Sequence, residues 1–283
     1  MTIPKSFSAR ALMLALVLAA PLSAQVADGD QHYAARAEGA QGGHARTEHI
    51  DAAIAAYQRA IAQNPNDIEA RWKLLRAYRF KGAYVATTSD QKKQIYGTAK
   101  NAGEKALALV NARLHVTAKS TEKQVADAAR AVPGAGEVYL WDAINWGEWA
   151  LAYGKMAAAR QGAADQIRRG ATIALLVDPR MEMGSPARVL GRLHDQTPRI
   201  PFITGWASSK EALRFLGDSL KIDPKNKITL VFLAEAMASA DSSKKPQAIK
   251  LLREAIDSPS HPDFAVEDAA AVTDAKALLA KWK

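Results

Sequence analysis

The side chains best suited to ligand binding are concentrated in one short stretch of this sequence. Three of its six tryptophans stand at positions 141, 146 and 149. In a helix, 100° per residue places four side chains on one stripe, with Trp146 at its border: Trp141, Asn145, Trp149 and Tyr153. Two interpretations are open. The rings either fill the core, with Asn145 bonded to a nearby carbonyl, or line a cavity for an apolar ligand, with Asn145 and Asp142 as polar contacts.

A second candidate is an arginine near the start of a predicted helix. Ser185 is a typical N-cap and Pro186 a typical first-turn residue, so Arg188 falls in the first turn. A cation is unfavourable there because the N-terminus of a helix carries partial positive charge. We therefore expect an acidic partner for Arg188: a carboxylate ligand, a partner protein, Asp142 or Glu148. The alternative is that Arg188 simply covers surface.

A loop at residues 197–206 is too apolar for an ordinary exposed connection. It contains Phe202 and Trp206 and is punctuated by two prolines. Such a loop either packs down as a lid over the helices or forms a contact surface.

No catalytic arrangement accompanies these residues. The chain has no cysteine, which excludes disulfides, thiolate metal sites and cysteine nucleophiles. His44 and His49 are five apart, not the four that places two metal ligands on one helix face. Nucleotide-binding and serine-hydrolase motifs are also missing. We predict a protein that is not an enzyme, with no metal and no cofactor.

The elements that position these candidates follow a repeat. A pattern of small, large and small residues runs into Asx-Pro or Ser-Pro at Pro65, Pro179, Pro224 and Pro259, and a weaker copy ends at Asn111. Small residues let a helix approach its neighbour, and proline ends it because it lacks an N–H and disfavours helical geometry before it. This is the second helix of a tetratricopeptide (TPR) hairpin. The 68 residues between 111 and 179 have room for two repeats or one with a long insertion.

The repeats predict an all-α fold of TPR-like hairpins in a curled solenoid of roughly ten to twelve helices. Residues 1–24 have the layout of a secretory signal, with Lys5 and Arg10 before an apolar run at 11–20. We expect cleavage after Ala24, a flexible segment at 25–44, and one helical domain at 45–283. Gln25 stands where a lipid-modified cysteine would be, so we predict a soluble periplasmic protein.

The chain carries a net charge of +9, with basic and acidic residues interleaved along its length. We interpret this as a solvated, mildly basic surface that could also bind an acidic partner. Export argues against nucleic acid as a partner, and the sequence leaves a homo-oligomer open.

Beyond its repeats, the chain resembles the TatT component family of TRAP (tripartite ATP-independent periplasmic) transporters over residues 45–260. The resemblance rests on the order of four blocks: Trp141…Asn145-Trp146-Gly147…Trp149; Asp178-Pro179; Gly184-Ser185-Pro186…Arg188-Val189-Leu190-Gly191; and Pro201-Phe202…Gly205 before Ala212 and Leu216. It implies TPR-like hairpins around a hydrophobic tunnel. It also implies association with a periplasmic substrate-binding subunit and uptake of apolar, carboxylate-bearing ligands. Where the family tends to have Gly-Gly-Asp, this chain has Gly205-Trp206-Ala207, which we expect to narrow or plug an opening.

The sequence thus favours a ligand-handling accessory of a TRAP-type transporter. Its ligand would lie against the aromatic stripe, Arg188, Phe202 and Trp206. The alternative is a periplasmic TPR scaffold that binds a protein segment and has no ligand cavity.

Overall fold

A computed structural model describes residues 22–201 and 204–282. It confirms the all-α, TPR-like fold. The described residues form thirteen α-helices, and their only β-type pairing is an isolated bridge between Gln41 and His44. The helices are α1 (Leu22–Ala34), α2 (Glu48–Gln63), α3 (Ile68–Tyr84), α4 (Ser89–Arg113), α5 (Glu122–Ala129), α6 (Ala135–Tyr153), α7 (Lys155–Arg160), α8 (Ala163–Val177), α9 (Met181–Gln196), α10 (Ser209–Ile222), α11 (Lys227–Ala240), α12 (Lys245–Asp257) and α13 (Ala265–Lys281).

The four predicted terminators that precede a proline end their helices as expected, whereas α4 continues past Asn111 to Arg113. Asn64, Asp178, Asp223 and Ser258 each precede a proline and each adopt extended backbone geometry at the end of α2, α8, α10 and α12. The proline ring clashes with a helical residue before it, so the chain must leave the helix at that point. The repeat pattern therefore fixes where these hairpins turn.

Small residues set the spacing between paired helices. Gly191 of α9 faces α10 so closely that a Cβ atom there would lie 3.0 Å from the backbone nitrogen of Leu216. Ala212 and Leu216 of α10 are fully buried at this contact. The small positions of the repeat thus serve helix packing, as predicted.

The long gap between Asn111 and Pro179 contains one hairpin with additions. Helices α6 and α8 pack against each other, while the short helices α5 and α7 are inserted around them. Gly170 of α8 allows this contact, because a Cβ atom there would lie 2.9 Å from the carbonyl oxygen of Tyr139.

The N-terminal segment differs from its prediction. Residues 25–44, expected to be flexible, contain most of α1, which packs along α2. Val26 is buried, and the Tyr57 hydroxyl donates a 2.9 Å hydrogen bond to Asp30. These tertiary contacts stabilise a helix whose polar, glycine-containing sequence is a weak helix former by itself.

The predicted signal segment lies almost wholly outside the described residues and stays a prediction. Among residues 22–201 and 204–282, no helix combines the length and apolar character needed to span a bilayer.

The last helix packs against the N-terminal end of the array, at α3 and the segment just after α1, so that the solenoid closes into a ring. Val266 of α13 belongs to the same core cluster as residues of α1, α2 and α3. Arg36, just after α1, donates to the Glu267 carboxylate at 2.9 Å, and both side chains are almost fully buried. Arg36 also donates to the carbonyls of Tyr33 and Asp263. This cluster joins segments 231 residues apart.

We predict that Arg36→Ala destabilises the protein strongly, because Glu267 is left as a buried, unpaired charge. The expected loss in free energy of unfolding is about 3–5 kcal/mol, measured by urea denaturation. Small-angle scattering should show a larger radius of gyration as the ring opens. The control is Arg59→Ala, which removes an exposed pair with Asp28 and should cost less than about 1 kcal/mol. Equal losses in the two variants would contradict closure by the buried pair.

Candidate functional site

The inner face of the ring encloses an open cavity of about 2450 Å³. Its wall is built mainly from α1, α3, α6, α9, α11 and α13, whereas α2, α10 and α12 contribute no lining residue in the described part of the chain. In each of these hairpins one helix therefore faces inward and its partner faces outward. The volume exceeds the roughly 300–1,000 Å³ typical of small-molecule pockets, so a small ligand would fill only part of it.

Much of the wall is apolar and aromatic. Its rings and branched side chains come from five different helices: Tyr33, Trp72, Phe80, Ile144, Val189 and Phe232. Such surface is costly to leave in water and gains free energy when a ligand covers it, at about 25 cal/mol per Å².

Arginines interrupt this apolar wall, and four of the five that line it in the described structure pair with a carboxylate: Arg36, Arg76, Arg79 and Arg192. Arg79 lies 3.3 Å from a Glu148 oxygen and donates to the Tyr84 hydroxyl at 2.7 Å. Arg76 lies 3.9 Å from Glu182, with its guanidinium 4.0 Å from the centre of the Tyr33 ring. The charges of Arg76 and Arg79 are thus largely balanced within the wall.

Arg188 lines the same cavity but contacts only neutral oxygen atoms. Its guanidinium donates to the carbonyls of Met183 and Glu182, at 3.2 and 3.3 Å, and to the Thr229 hydroxyl at 3.3 Å. Burial, and then the nearby charge of Arg79, lower the pKa of Arg188 to about 10. The side chain remains cationic at neutral pH, so the cavity wall presents a positive charge without a matching carboxylate contact.

The expected partners of Arg188 are therefore corrected. Glu148 pairs with Arg79 instead, and Asp142 is buried on another face of α6, against Gly103 of α4. The predicted helix restart holds, because the backbone is left-handed at Glu182, Met183 and Gly184, with φ of 45°, 54° and 76°. This turn aims two carbonyls at Arg188, and they hold the guanidinium at the wall.

Trp146 and Trp149 fill the core, whereas Trp141 borders the cavity and Tyr153 is partly exposed at the end of α6. Trp149 stacks on Tyr153, with ring centroids 4.8 Å apart, and Trp146 meets Trp149 edge to face at 5.5 Å. The Lys100 ammonium lies 4.5 Å from the centre of the Trp146 ring. These three rings are not among the residues that line the cavity; of the stripe, only Trp141 borders it. The placement of Trp146 and Trp149 at a cavity is corrected, because α4, α8 and α9 cover that side of α6. The placement of Tyr153 there is corrected as well, because its side chain is 42% exposed and lies outside the cavity lining.

Asn145 joins α6 to α3. Its amide donates to the carbonyls of Leu75, at 3.0 Å, and Trp141, at 2.8 Å, and the side chain is fully buried. This is the core interpretation of Asn145, and its proposed role as a ligand contact is corrected with that of the rings.

Asp142 is a buried acid whose Oδ1 has no hydrogen-bond partner within the described structure. A Cβ atom at Gly103 would lie 2.0 Å from that oxygen, so any larger residue there would force the Asp142 side chain to move. Burial, and then the charge of Glu104, raise the pKa of Asp142 to about 8, against the lowering effect of Lys100.

The apolar loop divides into two parts. Trp206 meets His194 edge to face at 5.2 Å and lies under the Arg168 guanidinium, 4.6 Å from its ring centre. It packs away from the cavity lining, so the expected narrowing or plugging of an opening by Trp206 is corrected. Phe202 lies outside the described residues, and its predicted role stays a prediction. Ile200, by contrast, is exposed and lines the cavity.

Sequence reasoning missed most of the actual wall. The first helices of the hairpins were recognised, but their inward residues, such as Trp72, Arg76 and Phe232, were not. The available signal was positional: in a ring of hairpins, one helix of each pair must face inward. Within residues 22–201 and 204–282, no group of three His, Asp or Glu side chains is arranged to hold a metal ion.

Comparison with known proteins supports the fold alone. The sequence matches no protein-family model and no curated protein. Among solved structures, it is similar to a thermophilic TPR protein from Thermus thermophilus, with a TM-score of 0.51 and 17% identity over 89% of this chain and 99% of that one. At this identity the likeness shows a TPR-like helical fold.

We predict that Trp149→Ala behaves as a core truncation. Trp149 is 7% exposed and contacts rings on both sides, so its removal should cost about 3–5 kcal/mol of unfolding free energy. Tyr153→Phe in the same cluster removes only the hydrogen bond to the Lys93 carbonyl and should cost no more than about 1.5 kcal/mol. Chemical denaturation measures both. A Trp149→Ala loss as small as that of the control would contradict the packed arrangement.

We also predict a pH dependence of stability that belongs to Asp142. The folded state keeps the Asp142 proton up to about pH 8, whereas the unfolded state loses it near the ordinary pKa of 3.8. The contribution of the protonated Asp142 carboxyl to the free energy of unfolding is therefore fully present below pH 3.8. It is lost as the pH rises towards 8. The unfolding free energy of the wild type, relative to Asp142→Asn, should fall steadily over that range. A pH-independent difference between the two proteins would contradict the prediction.

Proposed function

We propose that this protein is a non-enzymatic, periplasmic accessory protein of a TRAP-type transporter. In this role it binds a molecule with an apolar body and a carboxylate in its ring cavity and associates with a substrate-binding subunit. The proposed ligand binding rests on one observation: Arg188, a cation without a carboxylate contact, lies in a largely apolar cavity wall. The transporter part rests on the resemblance in four sequence blocks.

The wall suits such a ligand because apolar side chains lie on the same helices as Arg188 and its hydrogen-bond partner Thr229. Val189, next to Arg188 on α9, and Phe232 on α11 supply apolar surface to the same cavity. An apolar chain gains free energy by covering these side chains, while its carboxylate accepts charge-assisted hydrogen bonds from Arg188. The carboxylate need not displace a protein acid from Arg188, whereas at Arg79 it would compete with Glu148.

The alternative function is a scaffold that binds a polypeptide segment. The size of the cavity favours it, since about 2450 Å³ is ample for several extended residues. The two functions differ in what Arg188 contributes: a carboxylate-bearing small molecule depends on it strongly, whereas a peptide spreads its contacts over the whole wall.

We predict that Arg188→Leu weakens binding of dodecanoate about tenfold to a hundredfold, the usual value of a charge-assisted hydrogen bond. Binding of dodecanol, which has the same chain without the carboxylate, should change little. Titration calorimetry measures both ligands. The matched control is Arg214→Leu, an arginine paired with Glu211 on the outer helix α10, which should bind both ligands like the wild type.

Two results would contradict the ligand proposal. One is equal loss of dodecanoate and dodecanol binding in Arg188→Leu, because the arginine would then act only through the fold. The other is the absence of measurable binding of either ligand to the wild type. Native mass spectrometry of protein isolated from periplasm, with any co-purifying binding protein, then distinguishes a carried small molecule from a bound polypeptide.

A further inference from the structure

The most exposed apolar side chains of the described structure are concentrated at one bend. Five large hydrophobic residues of the described structure are exposed to solvent, and three of them lie within residues 151–156. The exposed fractions are 75% for Leu151, 42% for Tyr153 and 70% for Met156. Isolated exposed hydrophobic residues are ordinary, but a cluster of this kind marks an interaction site.

The backbone is built to present this cluster. Gly154 separates α6 from α7 with φ of 89° and ψ of 167°, a geometry that is essentially restricted to glycine. None of the residues of α7 is buried, so this helix contributes little to the core. The bend therefore holds a short helix out from the ring with Met156 facing solvent.

The charges around the cluster are mainly positive. Lys155 and Arg160 of α7 are exposed, and residues 149–164 contain no acid. Lys93 joins them from α4, because its carbonyl accepts a hydrogen bond from the Tyr153 hydroxyl at 3.2 Å. Of these three basic residues, only Lys93 has an acidic partner within the described structure: Asp90, 3.8 Å from the Lys93 ammonium. We call Leu151, Tyr153, Lys155, Met156 and Arg160 the α7 patch.

This composition favours a lipid surface over a protein partner. Protruding apolar side chains beside lysine and arginine are typical of segments that insert into the headgroup region of anionic membranes. Tyrosine, methionine and arginine are also common in protein–protein interfaces, so the argument for an anionic lipid surface rests on the two basic side chains and on the absence of any acid at residues 149–164. The patch also borders the cavity, since Leu151, Lys155 and Met156 are among its lining residues.

We propose that the α7 patch docks the protein on an anionic lipid surface. Leu151 and Met156 insert among the acyl chains near the headgroups, while Lys155 and Arg160 contact lipid phosphates. The mouth of the cavity then faces the bilayer. An apolar ligand can pass between membrane and cavity with little exposure to water. Docking itself does not depend on the proposed ligand, so the two proposals can fail separately.

The test is a vesicle flotation assay with the protein in the form that is isolated from the producing cell. One set of vesicles contains phosphatidylglycerol and phosphatidylcholine, and the other contains phosphatidylcholine alone. The wild type should bind the anionic vesicles preferentially, and more weakly as salt is raised. Leu151→Ser/Met156→Ser and Lys155→Gln/Arg160→Gln should each weaken binding about tenfold or more. The control is Leu176→Ser, which alters an exposed apolar residue outside the cavity lining and should bind like the wild type.

Several results would overturn this proposal. Binding that is unchanged in both double variants would assign membrane affinity to another part of the chain. Absence of wild-type binding to anionic vesicles would also exclude it. A solution dimer that Leu151→Ser/Met156→Ser abolishes, without vesicle binding, would make the patch a contact between copies. Thermal unfolding of each variant shows that the fold is retained, and dodecanoate binding reports separately on the cavity.

Discussion

The ring depends on a buried ion pair between the two ends of the helical array. Arg36 and Glu267 lie 231 residues apart, and both are nearly inaccessible to solvent. Burying two charges is costly, and one Glu267 oxygen has no partner in the described structure, so the pair is a weak source of net stability. Its effect is specificity: the cluster around Arg36, including the rings of Tyr33 and Phe264, forms only when α13 meets the segment just after α1.

Closure of the helical array into a ring surrounds the concave face of the solenoid and turns it into the wall of a cavity. In an open array the inward helices would present Trp72 and Phe232 to bulk water on a shallow concave face. In the ring they surround a common space, where apolar surface is shielded and arginines lie close enough to influence each other, as Arg79 does Arg188. The cavity is thus a property of the whole ring and not of any single helix, which is why α2, α10 and α12 can be confined to the outside.

Local sequence rules predicted the hairpins well, because their causes are local. A proline after Asn64 or Asp223 ends a helix wherever the chain lies, and small residues mark close helix contacts. The orientation of α6 could not be found in this way. Eleven of its nineteen residues are buried, so its stripe of tryptophans has no polar opposite face to reveal which side is covered. Likewise α1 is stabilised by distant contacts, including those of Arg36, that its own weak helical pattern cannot indicate.

Arg188 shows how the fold keeps a charge available. A half-buried guanidinium normally acquires a carboxylate, as Arg79 does with Glu148. At Arg188 the left-handed turn at residues 182–184 supplies carbonyl oxygens instead, and these hold the side chain in place without neutralising it. The turn is itself strained, because left-handed geometry at two non-glycine residues costs about 1–3 kcal/mol each, and the bonds from Arg188 offset part of that cost. Under the proposed function, an anionic ligand would therefore reach Arg188 without breaking an ion pair.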